Sequence, residues 1–360
     1  MKILFSVPRY HPNHDGLVAG LLDAGHAVHF VVRAHNPTEF HRPGIGLTFL
    51  PGWQEEGRRK LPPFAGLRRI LNAERPDVVI ARNPSRVSLA LHALCKLRGI
   101  PCLLYIQRET GAETLDARRR AMLRLGLWPA HTINATCPEP PAPPPGKTCD
   151  FLPFAIESDP MPRRARPAGA PLDVLSVGKL HQARKNHRAV IAHLAPLLRE
   201  GRIRLTLLGL REAGPSEVYD ALLAEIAAQQ VADSVRILEN LDYTASRRAY
   251  FDHDLLVLAS SRERAAVAPM EAMAAGLPAI CGADNGTNFV VQDGETGFVF
   301  PDGDFARMAE HVAWCADHPA DLDRMGRTAR TLIETDYSPA RCVARLDTIL
   351  RTRCGLRLAP

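Results

Sequence analysis

Short β-type runs alternate with helix-length amphipathic stretches through almost the whole of this 360-residue chain. That alternation constrains the fold more than any other feature, because runs joined by helices can pair only as a parallel sheet with helices on both faces. In the first half the strand candidates are Lys2 to Val7, Ala27 to Arg33, Leu47 to Leu50, Asp77 to Ala81, Cys102 to Gln107, Thr132 to Thr136 and Cys149 to Pro153. In the second they are Asp173 to Val177, Arg204 to Leu208, Val235 to Leu238, Leu255 to Leu258, Ala279 to Cys281 and Gly297 to Phe300. Two doubly wound units in series are therefore expected, matching a length greater than one core usually holds. Facing each other, they would place the carboxyl ends of both sheets around one cleft, where open α/β sheets bind ligands.

Pro138 to Pro145 holds six prolines in eight residues, which forbids helix or central strand and predicts an extended surface loop within the first domain. The joint is placed at Pro160 to Gly169, where Pro, Gly and Arg replace apolar periodicity. The domains expected are 1–160, 161–338 and a last helix, Pro339 to Thr352, with the tail to 360. Further helices are expected over Ala306 to Cys315 and Ala320 to Glu334.

With 46% hydrophobic and 23% charged residues the composition is globular. Charge interrupts each apolar run within a few residues, so no membrane-spanning helix is expected, and the opening apolar stretch is too short for a signal peptide, which points to the cytoplasm. Eight cysteines show no Cys-x-x-Cys pair and no zinc-type spacing with histidine, and read as reduced core residues. No metal cluster is expected. The net charge of +6 is uneven: residues 1–160 carry 20 Lys and Arg against 14 Asp and Glu, and 161–170 add three arginines. An anionic partner follows. Nucleic acid is disfavoured, since neither stacking motifs nor a recognition helix is present. Arg58-Arg59-Lys60, Arg68-Arg69 and Arg118-Arg119-Arg120 with Arg124 read as solvated faces that also permit docking to anionic lipid.

The most informative segment runs from Ser260 to Cys281. It follows the strand Leu255 to Leu258. Pro269 suits a helix start because its missing N–H costs nothing there, and Gly276 and Pro278 end the helix after barely two turns. The helix start then offers unpaired N–H groups to a phosphate. Glu263 lies in the preceding loop and Glu271 in the first turn, with seven residues between them, so both can reach one ligand. A carboxylate accepts hydrogen bonds from vicinal hydroxyls, which makes a ribose or a hexose the natural target. A solvated loop could carry the same two glutamates, but not with strand, proline and glycine in register. Met270 and Met273 read as core.

This segment resembles the Glu, seven residues, Glu motif of retaining glycosyltransferases of the GT-B fold, most closely glycosyltransferase family 4, where it continues Glu-Ala-Met-Ala-x-Gly-x-Pro. Further pieces lie in family order: the strand Met1 to Val7 with Arg9-Tyr10-His11-Pro12-Asn13; Ser176-Val177-Gly178-Lys179-Leu180 with Arg184-Lys185-Asn186; Val235 to Leu238; Asn285-Gly286-Thr287; Gly294-Glu295-Thr296-Gly297-Phe298; and Met325-Gly326 with Ala329-Arg330. The resemblance is strong over 171–335 and looser before it. It implies two Rossmann-like domains facing a central cleft, the first binding an acceptor and the second a nucleotide sugar, with the last helix returning to the first domain. It also implies transfer from a UDP- or GDP-sugar to a glycan, lipid-linked or small-molecule hydroxyl, as in glycan assembly, with retention and with no cofactor or metal.

Residue by residue, the resemblance implies that Glu271 binds the donor ribose and that Glu263, with the backbone of Ala265, Ala266 and Val267, holds the transferred sugar. Lys179 with Arg184 or Lys185 would neutralise the diphosphate, while Gly178 and Asn285-Gly286-Thr287 line the donor site. Arg264-Ala265-Ala266 stands where the family usually has Gly-Phe-Gly, and Asn13-His14-Asp15-Gly16 where it has a Gly-Gly pair; an extra residue before Lys185 keeps Arg184 as its alternative. In the first domain His11, His14, Asp15, Gly16, Arg82, Gln107 and Arg108 fall past strand carboxyl ends and are candidates for the acceptor side. His14 reads as a positioning group, because the donor phosphate itself would accept the proton. Rival readings are a sugar-nucleotide epimerase or hydrolase on the same fold, a two-lobed binding protein, and a nicotinamide-dependent oxidoreductase. The last lacks its Gly-x-Gly-x-x-Gly after Val7 or Val177.

Overall fold

The computed structural model describes residues 1–33, 42–51, 53, 62–107, 129–140, 143 and 146–358. These fall into two compact units, Met1–Ile156 with Tyr337–Pro360, and Glu157–Asp336. In unit 1 the order is β1 (Lys2–Val7), α1 (Asp15–Asp23), β2 (Ala27–Val32), β3 (Gly46–Phe49), α2 (Phe64–Glu74), β4 (Val78–Arg82), α3 (Arg86–Leu97), β5 (Cys102–Ile106), β6 (His131–Asn134) and β7 (Thr148–Phe151). Its sheet is parallel throughout, in the order β3-β2-β1-β4-β5-β6-β7.

Unit 2 continues with β8 (Leu172–Val177), α4 (His187–Arg199), β9 (Ile203–Gly209), α5 (Glu217–Ala228), β10 (Val235–Glu239), α6 (Tyr243–Phe251), β11 (Leu255–Leu258), α7 (Ala268–Ala274), β12 (Ala279–Gly282), β13 (Gly297–Phe300), α8 (Phe305–Asp317) and α9 (Pro319–Asp336). Its parallel sheet has the order β10-β9-β8-β11-β12-β13. Every strand read from the sequence is present, with no end displaced by more than two residues.

The central strands are buried on both faces, which explains why they read as continuous rather than alternating apolar runs. In unit 2, Val174, Leu205, Leu207 and Val257 pack with Val190, Ile191 and Leu194 of α4 and with Met308 and Val312 of α8. Each such side chain contributes about 1.5–3 kcal/mol by leaving water. Helix starts are specified locally: Ser85, Ser216 and Asp242 accept hydrogen bonds from the N–H groups of Ser88, Tyr219 and Ala245.

The joints fall at 156/157 and 336/337 rather than at 160/161 and 338/339. Segment 160–169 is non-helical, but it belongs to unit 2: the Arg164 N–H donates to the Phe251 carbonyl at 2.9 Å, and the guanidinium groups of Arg164 and Arg204 share the Asp173 carboxylate. Those arginines are pinned into an ion network, which the composition of the segment did not reveal. The last helix, α10 (Pro339–Cys354), lies in unit 1 against α1. It buries Cys342, Val343, Leu346, Ile349 and Leu350, and Arg353 forks onto the Asp150 carboxylate at 2.9 and 3.0 Å. Among the described residues no helix is long and apolar enough to cross a membrane, and the cysteines are free thiols.

Candidate functional site

A charged constellation of unit 2 lies at the carboxyl edge of its sheet, where β8 and β11 are neighbours and the strand order reverses. Such a switch point is where an open α/β sheet parts its loops for a ligand. After β8 the chain passes Gly178 and Lys179 into a short 3₁₀ turn, Ala183–Lys185, which ends at Asn186 with φ of 56°. Asparagine tolerates that left-handed conformation, and its Nδ2 donates to the Ala259 carbonyl at 2.7 Å and to Ser261 Oγ at 2.8 Å. The Ser261 N–H donates to the Arg184 carbonyl at 2.9 Å. The loops after β8 and β11 are thereby locked to each other.

Across that lock Arg184 Nη1 donates to Glu263 Oε2 at 2.8 Å, and Lys185 Nζ donates to the same oxygen. The sequence left open which of the two cations serves the site; the structure brings both to one atom. Burial raises the pKa of the Glu263 carboxyl, but Lys185 and Arg184 outweigh it and hold it below the ordinary carboxylate value. Lys185 is itself lowered, first by burial and also by Arg184 and Lys179, although Glu263 opposes the shift. Arg184 and Lys185 thus converge on one carboxylate, with the Lys179 charge acting on Lys185 beside them, a surplus of positive charge.

Glu271 stands in the first turn of α7, where Pro269 takes the second position rather than the first. Tyr250 Oη, from the end of α6, donates to Glu271 Oε2 at 2.9 Å. Burial raises the Glu271 carboxyl above its usual pKa, with Tyr250 and Arg247 pulling the other way, and it pushes the Tyr250 phenol well up. Tyr250 escaped the sequence reading because it sits on another element, with no spacing that ties it to the glutamate.

Asn285, Gly286 and Thr287 act as a clamp. The Gly286 N–H donates to the Glu263 carbonyl at 2.8 Å, and Thr287 Oγ1 donates to the Ala266 carbonyl at 2.6 Å and to Asn285 Oδ1 at 3.1 Å. They fix the loop carrying Glu263, Ala265, Ala266 and Val267. Gly178 leaves room for a neighbour: a Cβ there would sit 2.9 Å from Lys185 Cδ and would push that side chain aside. Among the described residues, no group of three or more His, Cys, Asp or Glu side chains could hold a metal ion.

In unit 1 the candidates divide. Asp15 is buried and its oxygens are engaged: Tyr10 Oη donates at 3.0 Å, while Arg42 forks onto the carboxylate at 2.9 and 2.8 Å. Gly16 backs onto the main chain, since a Cβ would lie 2.0 Å from the Ala155 carbonyl oxygen. Both residues help to hold unit 1 together, and Arg42 is the Asp15 partner that the sequence did not identify. His11 caps the turn Pro12–His14, its Nδ1 accepting from the Asn13 N–H at 3.2 Å. His14, Arg82 and Gln107 gather at the edge of the sheet, with Arg82 Nη2 donating to Gln107 Oε1 at 2.5 Å. Burial, then Arg82 and His11, hold the His14 imidazole well below its ordinary pKa. Arg108, Arg58 to Lys60, Arg118 to Arg120 and Arg124, and Pro141, Ala142, Pro144 and Pro145 of the proline loop, lie outside the described residues.

Comparison with known proteins agrees with this architecture. The model of the glycosyl transferases group 1 matches residues 159–332, and that of glycosyltransferase family 4 matches residues 15–128. A glycogen synthase of Mycobacterium tuberculosis is 30% identical over 172 residues, 48% of this chain and 40% of that protein, so the chain spans well under two thirds of that relative. A glycosyltransferase of Rickettsia africae superposes with a TM-score of 0.80 at 14% identity, covering 98% of both chains. HepE of Anabaena superposes with a TM-score of 0.74 at 15% identity, covering 99% of this chain and all of the other. With both halves matched in order and the Rossmann-like sheets in place, the chain belongs to the group 1 glycosyl transferases of family 4 type and has the GT-B fold.

Proposed function

We propose that this protein transfers a glycosyl group from a nucleotide sugar held by unit 2 to a hydroxyl of an acceptor held by unit 1, with retention of anomeric configuration. The observation that carries the reading is the convergence of Arg184 and Lys185 on Glu263 at the switch point of unit 2. A diphosphate entering there finds three cations in place, and charge growing on the leaving phosphate is stabilised most by donors that need not reorganise. When those cations turn to the phosphates, the Glu263 carboxylate becomes available to sugar hydroxyls. Glu271, positioned by Tyr250, would accept from the ribose hydroxyls. The sugar C1–O bond to the diphosphate breaks, the acceptor oxygen bonds to C1, and the acceptor proton passes to the departing phosphate oxygen. HepE has been crystallised with UDP and with UDP-glucose, which favours a uridine nucleotide as the first donor to test. The cationic set would do the work of a divalent ion, so turnover is expected to survive EDTA.

The test is thermal unfolding with UDP-, GDP-, ADP- and dTDP-sugars beside NAD and NADP. A ligand at a hundred times its Kd adds about 2.7 kcal/mol. One nucleotide sugar should raise Tm in the wild type and not in Glu271→Ala, and release of nucleoside diphosphate should require an added acceptor. Stabilisation by no nucleotide sugar removes the transferase reading; acceptor-independent release turns it into a hydrolase.

A further inference from the structure

Unit 1 has its own switch point, between β1 and β4, and the side chains there carry a specific electrostatic demand. Arg82 ends β4, Gln107 follows β5, and His14 follows β1. Arg82 is partly buried and donates to Gln107 Oε1, and among the described residues no carboxylate lies within ion-pair distance of it. Its charged neighbour is Arg9, which together with burial lowers the guanidinium's pKa. Two further nitrogens at this edge have no hydrogen-bond partner among the described residues: His14 Nε2, on a residue 3% exposed, and Gln107 Nε2, on a residue 8% exposed. The His14 ring lies 5.9 Å from that of Tyr105, whose strand position pairs with Arg82.

A half-buried arginine with no counter-charge costs stability unless something else supplies it, and unpaired buried polar nitrogens carry the same cost. We propose that the acceptor bound by unit 1 carries an anionic oxygen group, a phosphate or a carboxylate, which Arg82 engages by its planar fork with Gln107 Nε2 as a second donor. Arginine matches both anions in geometry. This rests on the transferase reading for the word acceptor, not for the site. A uniformly neutral sugar acceptor would leave Arg82 uncompensated.

The experiment measures binding to the full chain saturated with UDP, at constant ionic strength, using glycerol 3-phosphate and malate as anionic probes and glycerol as the neutral one. Both anions, or one of them, should bind the wild type. Arg82→Gln should weaken that binding about ten- to hundredfold, the worth of a charge-assisted hydrogen bond, Arg82→Lys should recover part of it, and the UDP-induced shift in Tm should be the same in all three proteins. The stronger anion identifies the group. If Arg82→Gln fails to fold, Gln107→Leu serves in its place, with a loss of about tenfold. Anion binding that persists in these variants, anion binding absent from the wild type, or glycerol binding as strongly as the anions overturns the proposal. Because the UDP shift is read in the same samples, its loss would count against the transferase reading, whereas its presence with no anion binding counts only against this one.

Discussion

At the scale of single residues the site of unit 2 is built from groups that are costly where they stand. The pKa of Glu271 is raised by burial, so the unfolded chain gives up that proton first; the group favours folding at pH below the ordinary carboxylate value, and this is lost as pH rises through its folded pKa. Ionised Glu271 is therefore a liability at neutral pH. Glu271→Gln keeps an acceptor for Tyr250 and removes the charge, so Tm should rise at pH 7, the difference should vanish near pH 4, and nucleotide binding should weaken. An unchanged Tm together with unchanged affinity would deny Glu271 both roles. Lys185 has a lowered pKa, so its contribution to stability rises with pH between its folded pKa and that of an exposed lysine, while its charge is lost for binding phosphate. Because Glu263 is what props that pKa up, Glu263→Gln should move the alkaline loss of UDP affinity to lower pH. Titrating UDP binding from pH 7 to 10 checks this, and an unmoved alkaline limb would uncouple the pair. Both glutamates and both basic residues were legible in the sequence from their places after strands. Tyr250 and Arg42 were not, since hydrogen bonds between distant elements leave no local spacing.

At the scale of elements, helices approach closely where the sequence supplies glycine at the contact. Gly326 in α9 would place a Cβ 2.3 Å from the Gly276 carbonyl oxygen at the end of α7, and Gly20 in α1 would place one 2.9 Å from the Pro339 carbonyl carbon in α10. Gly326→Ala should cost about 1–3 kcal/mol by overpacking and, because α9 backs α7, should also weaken nucleotide binding through Glu271. Urea unfolding with and without UDP separates the two effects; a variant as stable as the wild type would show that α7 and α9 can part freely. Met325-Gly326 resembles a family feature in the sequence, and its physical basis is this contact. Gly16 is a like case within unit 1, where the nearby Ala155 carbonyl explains why no side chain is tolerated.

At the scale of the molecule, the chain leaves unit 1 at 156 and re-enters it at 337, so unit 2 is an insertion between the first sheet and its last helix. The Ile156 N–H donates to the Tyr337 carbonyl at 2.9 Å, joining the two crossings within unit 1. Removing residues 337–360 strips α1 of the apolar face of α10 and Asp150 of Arg353. The truncated chain should show a lower melting transition for unit 1 while the UDP-responsive transition of unit 2 stays near its wild-type temperature. A single transition lowered as a whole would instead mean that the two units unfold together.

The sequence by itself determined the fold class, the strands, the short helix with Glu271, the loop before it with Glu263 and the basic loop after β8, because periodicity and turn chemistry are local properties of the chain. Only the tertiary structure decided that Arg184 and Lys185 meet on one oxygen of Glu263, that Asp15 is engaged by Arg42 and Tyr10, and that Arg82 stands at a switch point with no carboxylate beside it among the described residues. Those outcomes depend on which elements become neighbours across a sheet and on how far burial strips water from a charge, and neither quantity is written in residue spacing.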